Sequence, residues 1–212
     1  MNVKLTSITK PCVEGINTAE ELIAYCARVS NPSNQLNIET SPKLIKYLID
    51  HKHWSPFEMC HATVEIVTSR AIAAQILRHR SFSFSERSQR YSISTTYEDI
   101  GWRFQGKTNR QVGDKEYNLS ADDQEIIKNT LQANVDLYNG LIKLGIAKEC
   151  ARMVLPLCTQ TTMYISGTIR SFIHYVELRT KEDTQKEHRD IAVNIKNILA
   201  KEFPVIAEAL NW

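Results

Sequence analysis

Between Arg78 and Tyr91 the chain reads RHRSFSFSERSQRY, with Arg78, Arg80, Arg87 and Arg90 set around one carboxylate, Glu86. His79 lies inside the cluster and four serines are spread through it. Fixed positive charge at this density is poor core material, because burying an unpaired guanidinium is costly. It suits the grip on a polyanionic ligand, since arginine offers a planar fork of donors matched to phosphate oxygens. A solvated basic loop is the plain alternative. A single-stranded nucleic-acid-binding module is another, with bases stacking on Phe82, Phe84 and Tyr91 along the Arg78–Arg90 segment.

Other chemistries find less support. There is no G-x-G-x-x-G and no G-x-x-x-x-G-K-[ST], so a phosphate must be held by side chains and helix termini. His51, His53 and Glu58 stand close together in HKHWSPFE, but no third ligand follows at a recognised spacing, and no metal is expected. Ser88 lies among arginines that would help an alkoxide, yet no base can be assigned to it and no G-x-S-x-G is present. None of the five cysteines sits in a comparably basic setting. Arg152 interrupts the apolar run CARMVLPLC, where an arginine calls for a specific anionic partner. Arg179 ends a predicted helix, where a cation also meets the helix dipole favourably.

The elements that must position these residues can be read from capping and periodicity. Val3 to Thr9 alternates like a strand. Thr18 and Glu21 form a capping box opening a helix to about Val29, and Ser41-Pro42 starts a second. Met59 to Val67 has strand character. Ser69 can cap a helix to about Arg80, with Ile72, Ala73, Ile76 and Leu77 on its apolar face. Gln75, Arg78 and His79 would then project together from another face. Ser92 to Tyr97 is a candidate strand, and Glu98 to Asn118 a long surface loop. Ser120 caps a long helix carrying Ile127, Leu131, Val135, Tyr138 and Ile142 to a stop near Gly145. After a short helix from Lys148 to Val154 come a strand at Thr159 to Ser166 and helices at Ile169 to Thr180 and Thr184 to Phe203. Pro204 breaks the last before a short final helix. The expected architecture is one α+β domain over 1–212. It has a mixed or antiparallel sheet packed against several helices, including long ones.

An apolar content of 42% and a net charge of +2 exclude a globally basic, histone-like binder. From Ser69 to Arg110 there are eight Arg or Lys against three Asp or Glu, so the remainder is net negative and the positive charge is local. No membrane-spanning run is present. An odd number of widely spaced cysteines, with no C-x-x-C, points to a reducing cytoplasm rather than a disulfide framework.

The motifs then resemble a family. Arg78-His79-Arg80, seven further residues and Ser88, with Arg90 two beyond, resemble the signature of the flavin-dependent thymidylate synthases. HKHWSPFE resembles the family's H-x-x-P-F-E element, ARMVLPL its A-R-x-x-L-P segment with Arg152, and IRSFIHYVELR its helix ending at Arg179. The resemblance implies methylation of dUMP to dTMP, with methylenetetrahydrofolate as carbon donor and FAD, reduced by NADPH, as hydride carrier. It also implies a homotetramer with sites shared between subunits. Ser55, Arg78, His79, Arg80, Glu86, Thr168, Ile169, Arg170 and His174 match cofactor positions. Gln75, Arg78, Glu86, Arg87, Ser88, Gln89, Arg90, Arg152 and Arg179 match substrate positions, with Ser88 and Arg90 toward the phosphate. Arg179, Ser88 and His53 match the catalytic set. Ser85, Thr168, His174 and Asp183 depart from the family pattern.

Overall fold

The computed structural model describes residues 1–212. In chain order it contains β1 (Asn2–Ile8), α1 (Ala19–Ala27), α2 (Ser41–Asp50), β2 (His61–Ser69), α3 (Arg70–Ile76) and β3 (Ser83–Glu86). These are followed by β4 (Arg103–Gln105), β5 (Gly113–Glu116), α4 (Ala121–Lys143), α5 (Lys148–Ala151), β6 (Gln160–Thr168), α6 (Ile169–Arg179), α7 (Lys186–Glu202) and α8 (Pro204–Ala209). Short 3-10 turns cover Pro32–Asn34, Ser55–Glu58 and Arg152–Val154. No helix is long and apolar enough to cross a membrane.

Alternating burial organises the sheet. Ala62, Val64 and Ile66 on β2, and Met163 and Ile165 on β6, are buried, while Glu65 and Tyr164 face the other way. The strands pair antiparallel with Val64 opposite Ile165 and Ile66 opposite Met163, so the apolar residues of both reach one face. β1 adds outside β2 and β3 outside β6, giving the order β1-β2-β6-β3 with every pair antiparallel. One contiguous core cluster joins this face to α1, α2, α3, α6, α7 and α8.

Both central strands run directly into helices, each turned by a hydroxyl cap. The Ser69 side chain accepts from the Ile72 N–H at the start of α3, and Thr168 accepts from the Ser171 N–H at 3.1 Å at the start of α6. The buried Glu98 carboxylate adds to the first cap, accepting from the Ser69 N–H at 2.6 Å. The Thr18–Glu21 capping box and the Ser120 cap form as expected, and Gly145 ends the long helix region with φ +82°.

Three expectations change. α3 stops at Ile76, about a turn before Arg80, because buried Phe82 draws the chain onto the sheet edge. The strand of this region is Ser83–Glu86; Ser92 to Tyr97 makes one isolated bridge, Tyr97 with Thr159. The segment from Glu98 to Asn118 is not all loop, since β4 and β5 pair antiparallel within it.

Phe82 explains a glycine in the middle of β6's end. Its ring packs on Phe172 with centroids 4.8 Å apart, and a Cβ at Gly167 would overlap the ring. Gly167→Ala should therefore destabilise the protein by about 1–3 kcal/mol, the usual cost of overpacking a core. The check is a fall in the urea midpoint with unchanged slope; an unchanged midpoint would show that the ring moves aside freely.

Candidate active site

The cluster that looks uniform in sequence is divided by the fold into inward and outward side chains. In β3 the residues alternate, Phe84 and Glu86 lying opposite Ile165 and Met163 of β6, and Ser83 and Ser85 lying opposite Ser166 and Tyr164. Glu86 thus faces the helix-covered side of the sheet at its edge. There it meets Arg70, the first residue of α3, with Nη1 to Oε1 at 2.8 Å. The other end of the same guanidinium donates to the Arg87 carbonyl at 2.7 Å. Glu86 is therefore neutralised from outside its own cluster. Ser85 points to the opposite face, so its departure from the family pattern leaves that pairing untouched.

His79 does not stand beside Arg78 on a helix face. Arg78 is exposed, whereas His79 turns inward, 9% exposed, with its ring edge-on to Tyr175 at 4.9 Å. The Arg179 Nε–H donates to His79 Nε2 at 2.8 Å, so that nitrogen is the acceptor and the ring is neutral. Burial lowers its pKa to about 4, helped by the charge of Arg179 and by His174. Gln75 joins the same group. Its Oε1 lies 3.2 Å from His188 Nδ1, and its Nε2 donates to Gln185 Oε1 at 2.7 Å.

The remaining predicted residues fall into two further groups. Arg90 and Arg152 meet at Glu149, Arg90 Nε with the carboxylate at 3.2 Å and Arg152 Nε with the backbone carbonyl at 3.4 Å. Ser88 turns the chain here, its hydroxyl accepting from the Arg90 N–H, and neighbouring Gln89 is buried with an unpartnered Nε2. On the other side of α6 a cleft of about 390 Å³ is lined by Trp54, Glu58, Ser81, Arg170, Ser171 and His174. Arg170 is ion-paired with Glu58. Thr168 spends its hydroxyl on the α6 cap, and Ile169 lies in the core. Ser55 and His53 are exposed, and the His53 ring lies 6.0 Å from that of Tyr47. The departing Asp183 lies in the exposed turn between α6 and α7. These groups are connected, because Ser171 donates to the Ser81 carbonyl and α6 carries both His174 and Arg179.

Electrostatics favour an external anion. Arg78, Arg80, Arg87, Arg152 and Arg179 have no carboxylate partner within the chain, whose ion pairs lie elsewhere. The nucleic-acid alternative loses its stacking platform, because Phe82 is buried and Phe84 packs against the core, leaving Tyr91 as the exposed ring.

Residues 13–205 match the family described as Thy1, thymidylate synthase complementing protein. The chain belongs to the flavin-dependent thymidylate synthase family. It is 55% identical over 218 residues to a probable flavin-dependent thymidylate synthase of Paramecium bursaria Chlorella virus 1, covering 100% of both chains. It is 48% identical over 223 residues to a flavin-dependent thymidylate synthase of Synechocystis sp., again covering 100% of both. Among solved structures it is similar to the UMP/dUMP methylase PolB from Streptomyces cacaoi bound with 5-Br dUMP. There the TM-score is 0.80 at 25% identity, covering 99% of this chain and 94% of that one.

Sequence reasoning missed Arg70, Tyr175, Gln185 and His188. Two of them left signals. An arginine at the first position of a helix opposes the dipole, so Arg70 needed an acidic partner. His188 lies on the apolar stripe continued by Ile191, Ala192, Ile195 and Leu199, where a polar ring needs a buried hydrogen bond. The SFSFS alternation of 81–85 is itself a strand signal, hidden by the interest of the flanking charges.

Two tests follow from this geometry. His188 is wholly buried and its pKa is lowered to about 3 by burial, then by Arg179 and His79. Both histidines therefore titrate lower in the fold than in the unfolded chain, which binds more protons below the ordinary value near 6.5. Stability from this source is complete above that pH and is lost as pH falls toward about 4, by on the order of a few kcal/mol. Melting across this window should show the decline, and a flat profile would contradict neutral burial. Separately, Arg70→Met strands Glu86 and frees the Arg87 carbonyl. Amide exchange at 87–91 should accelerate roughly tenfold or more, since each charge-assisted bond lost is worth about 1.5–3 kcal/mol. Unchanged exchange would show that Arg70 does not hold this segment.

Proposed function

We propose that this chain methylates dUMP to dTMP, taking the carbon from methylenetetrahydrofolate and using FAD, reduced by NADPH, as hydride carrier. The observation that carries this is the pairing of Arg179 with a buried, neutral His79. The contact spends one guanidinium N–H and no charge, so the cation stays available for an electron-rich ring. Beside a uracil, Arg179 would stabilise negative charge developing on the pyrimidine, an effect that grows where water is excluded.

The other groups fit parts of the same ligand set. Ser88, Arg90 and Arg152 converge near Glu149, where a phosphate could displace the exposed Arg90–Glu149 pair. Arg87 is exposed and free of carboxylates, and the buried Gln89 amide nitrogen still lacks an acceptor. Glu86, held by Arg70, stands between this phosphate end and the Arg78–Arg80 end.

The donor set also fits FAD, whose diphosphate needs cations and whose rings need hydrogen-bonding partners. Arg78 and Arg80 are exposed without carboxylate partners, and Ser55, Arg170 and His174 lie on or near the cleft beside α6. His79 would support this end through its ring, Thr168 through its cap and Ile169 through its backbone. Bound FAD would supply the hydride that completes the methyl group. His53, exposed beside Tyr47, is assigned to the folate side.

A homotetramer with shared sites belongs to this proposal. It is supported by the exposed Ile126, Leu137 and Leu144 of the long-helix region and by Met153 and Leu157 beyond it. A cytoplasmic location accords with five free cysteines.

The decisive experiment is a dUMP-dependent tritium-release assay on purified, flavin-loaded protein with NADPH and methylenetetrahydrofolate. Turnover is expected, and Arg179→Ala should lower kcat by about 10²–10³, the usual effect of removing a donor that stabilises transition-state charge. Protein that takes up flavin but releases no tritium would overturn turnover, and protein that takes up none would overturn the cofactor assignment as well.

A further inference from the structure

Behind Gln75 a chain of hydrogen bonds, part-buried and fully buried at its Tyr175 end, has a fixed direction. It begins at Glu187, whose carboxylate receives Arg103 Nη2 at 2.7 Å on Oε1 and 2.8 Å on Oε2. Burial opposes ionisation of Glu187, but its own backbone N–H, Arg103 and Gln185 hold the carboxyl below the usual range. A carboxylate can only accept. Gln185 must therefore turn its NH₂ toward Glu187, at 2.9 Å, which leaves its Oε1 to accept from Gln75 Nε2 at 2.7 Å. Gln75 must then present its own oxygen to His188, so His188 must carry its hydrogen on Nδ1. That makes Nε2 an acceptor, and the Tyr175 hydroxyl, 3.1 Å away, is its donor.

Each orientation follows from the previous one and ultimately from the Arg103–Glu187 pair. A carboxamide has two donor hydrogens and two acceptor lone pairs. Gln75 has committed one of each, so one N–H and one lone pair remain. Uracil offers donors and acceptors along one edge, and a carboxamide with a fixed orientation can match only one arrangement of them.

We propose that His188 is a positioning residue: as the Nδ1–H tautomer between Tyr175 and Gln75, it holds the oxygen end of the Gln75 carboxamide that meets the uridylate base, while Gln185 holds the nitrogen end. This rests on the assignment of Gln75 to the dUMP site above. Neutral burial of His188, with a pKa of about 3, keeps the tautomer intact at any working pH. Gln75 shares no hydrogen bond with Ser88, Arg90 or Arg152, so the effect is read on recognition of the base.

The test uses the full-length, flavin-loaded protein. His188→Met fills the volume but removes the donor to the Gln75 oxygen, leaving the amide held at its nitrogen end alone. The KM for dUMP should rise roughly tenfold, the cost of one buried acceptor left unpaired, with kcat changed much less. Flavin content and dUMP-independent oxidation of NADPH should stay the same. His188→Asn places an amide N–H near the Nδ1 position and should recover most of the loss. Tyr175→Phe keeps the fold's volume but leaves His188 Nε2 without its donor, and should raise the KM by a smaller factor. Nitrogen NMR of histidine-labelled protein should place the His188 hydrogen on Nδ1. Hydrogen on Nε2 overturns the proposal, as does an unchanged KM in His188→Met while Gln75→Leu impairs dUMP binding. If Gln75→Leu leaves dUMP binding intact, the underlying assignment of Gln75 fails instead.

Discussion

The antiparallel pairing of β2 with β6 is the constraint on which the site depends. With His61 opposite Thr168 and Ser69 opposite Gln160, the two central strands finish at opposite ends of the sheet, and each turns at once into a helix. The first helix, α3, carries Arg70 and Gln75, and the second, α6, carries Arg170, His174 and Arg179. β6 also takes β3 along its other edge, which brings Glu86 to the same face as Met163. One register thus places residues from two of the four motifs, the Arg78–Tyr91 segment and the helix ending at Arg179. A slip of one residue would turn Glu86 and Phe84 to the far face and remove Arg70's partner.

Charge is distributed with the same economy. Carboxylates near the site are assigned to particular cations, Glu86 to Arg70, Glu58 to Arg170 and Glu187 to Arg103. The cations that match substrate and cofactor positions are mostly left without such partners. Arg179 is the instructive case, because a buried imidazole orients it without neutralising it. Desolvation keeps that imidazole neutral, so the same burial that anchors the side chain preserves the positive charge beside it.

Much of the local structure was legible in the sequence. Thr18, Ser69, Ser120 and the start at Ile169 were read correctly, because a cap acts over three or four residues. The Arg78–Tyr91 segment reads in sequence as helix followed by loop, whereas the helix ends at Ile76 and Ser83–Glu86 forms a strand. Its SFSFS core obeys a period of two, while the preceding Ile72, Ala73 and Ile76 obey the helical period, and the switch lies within a few residues. Glycine content makes the stretch from Glu98 to Asn118 read as a loop, yet a hairpin forms there around weak local signals, with Arg103 fastening it to α7 through Glu187.

The sequence by itself determined the capped helices, the apolar stripes and the family of motifs, since each is encoded by neighbours a few positions apart. Only the tertiary structure decided which partner each polar group meets. Gln75 and Gln185 are 110 residues apart, and His79 and Arg179 are 100 apart. No local rule fixes such pairs. They exist because buried donors and acceptors must be satisfied once packing has expelled water, and packing is a property of the whole fold.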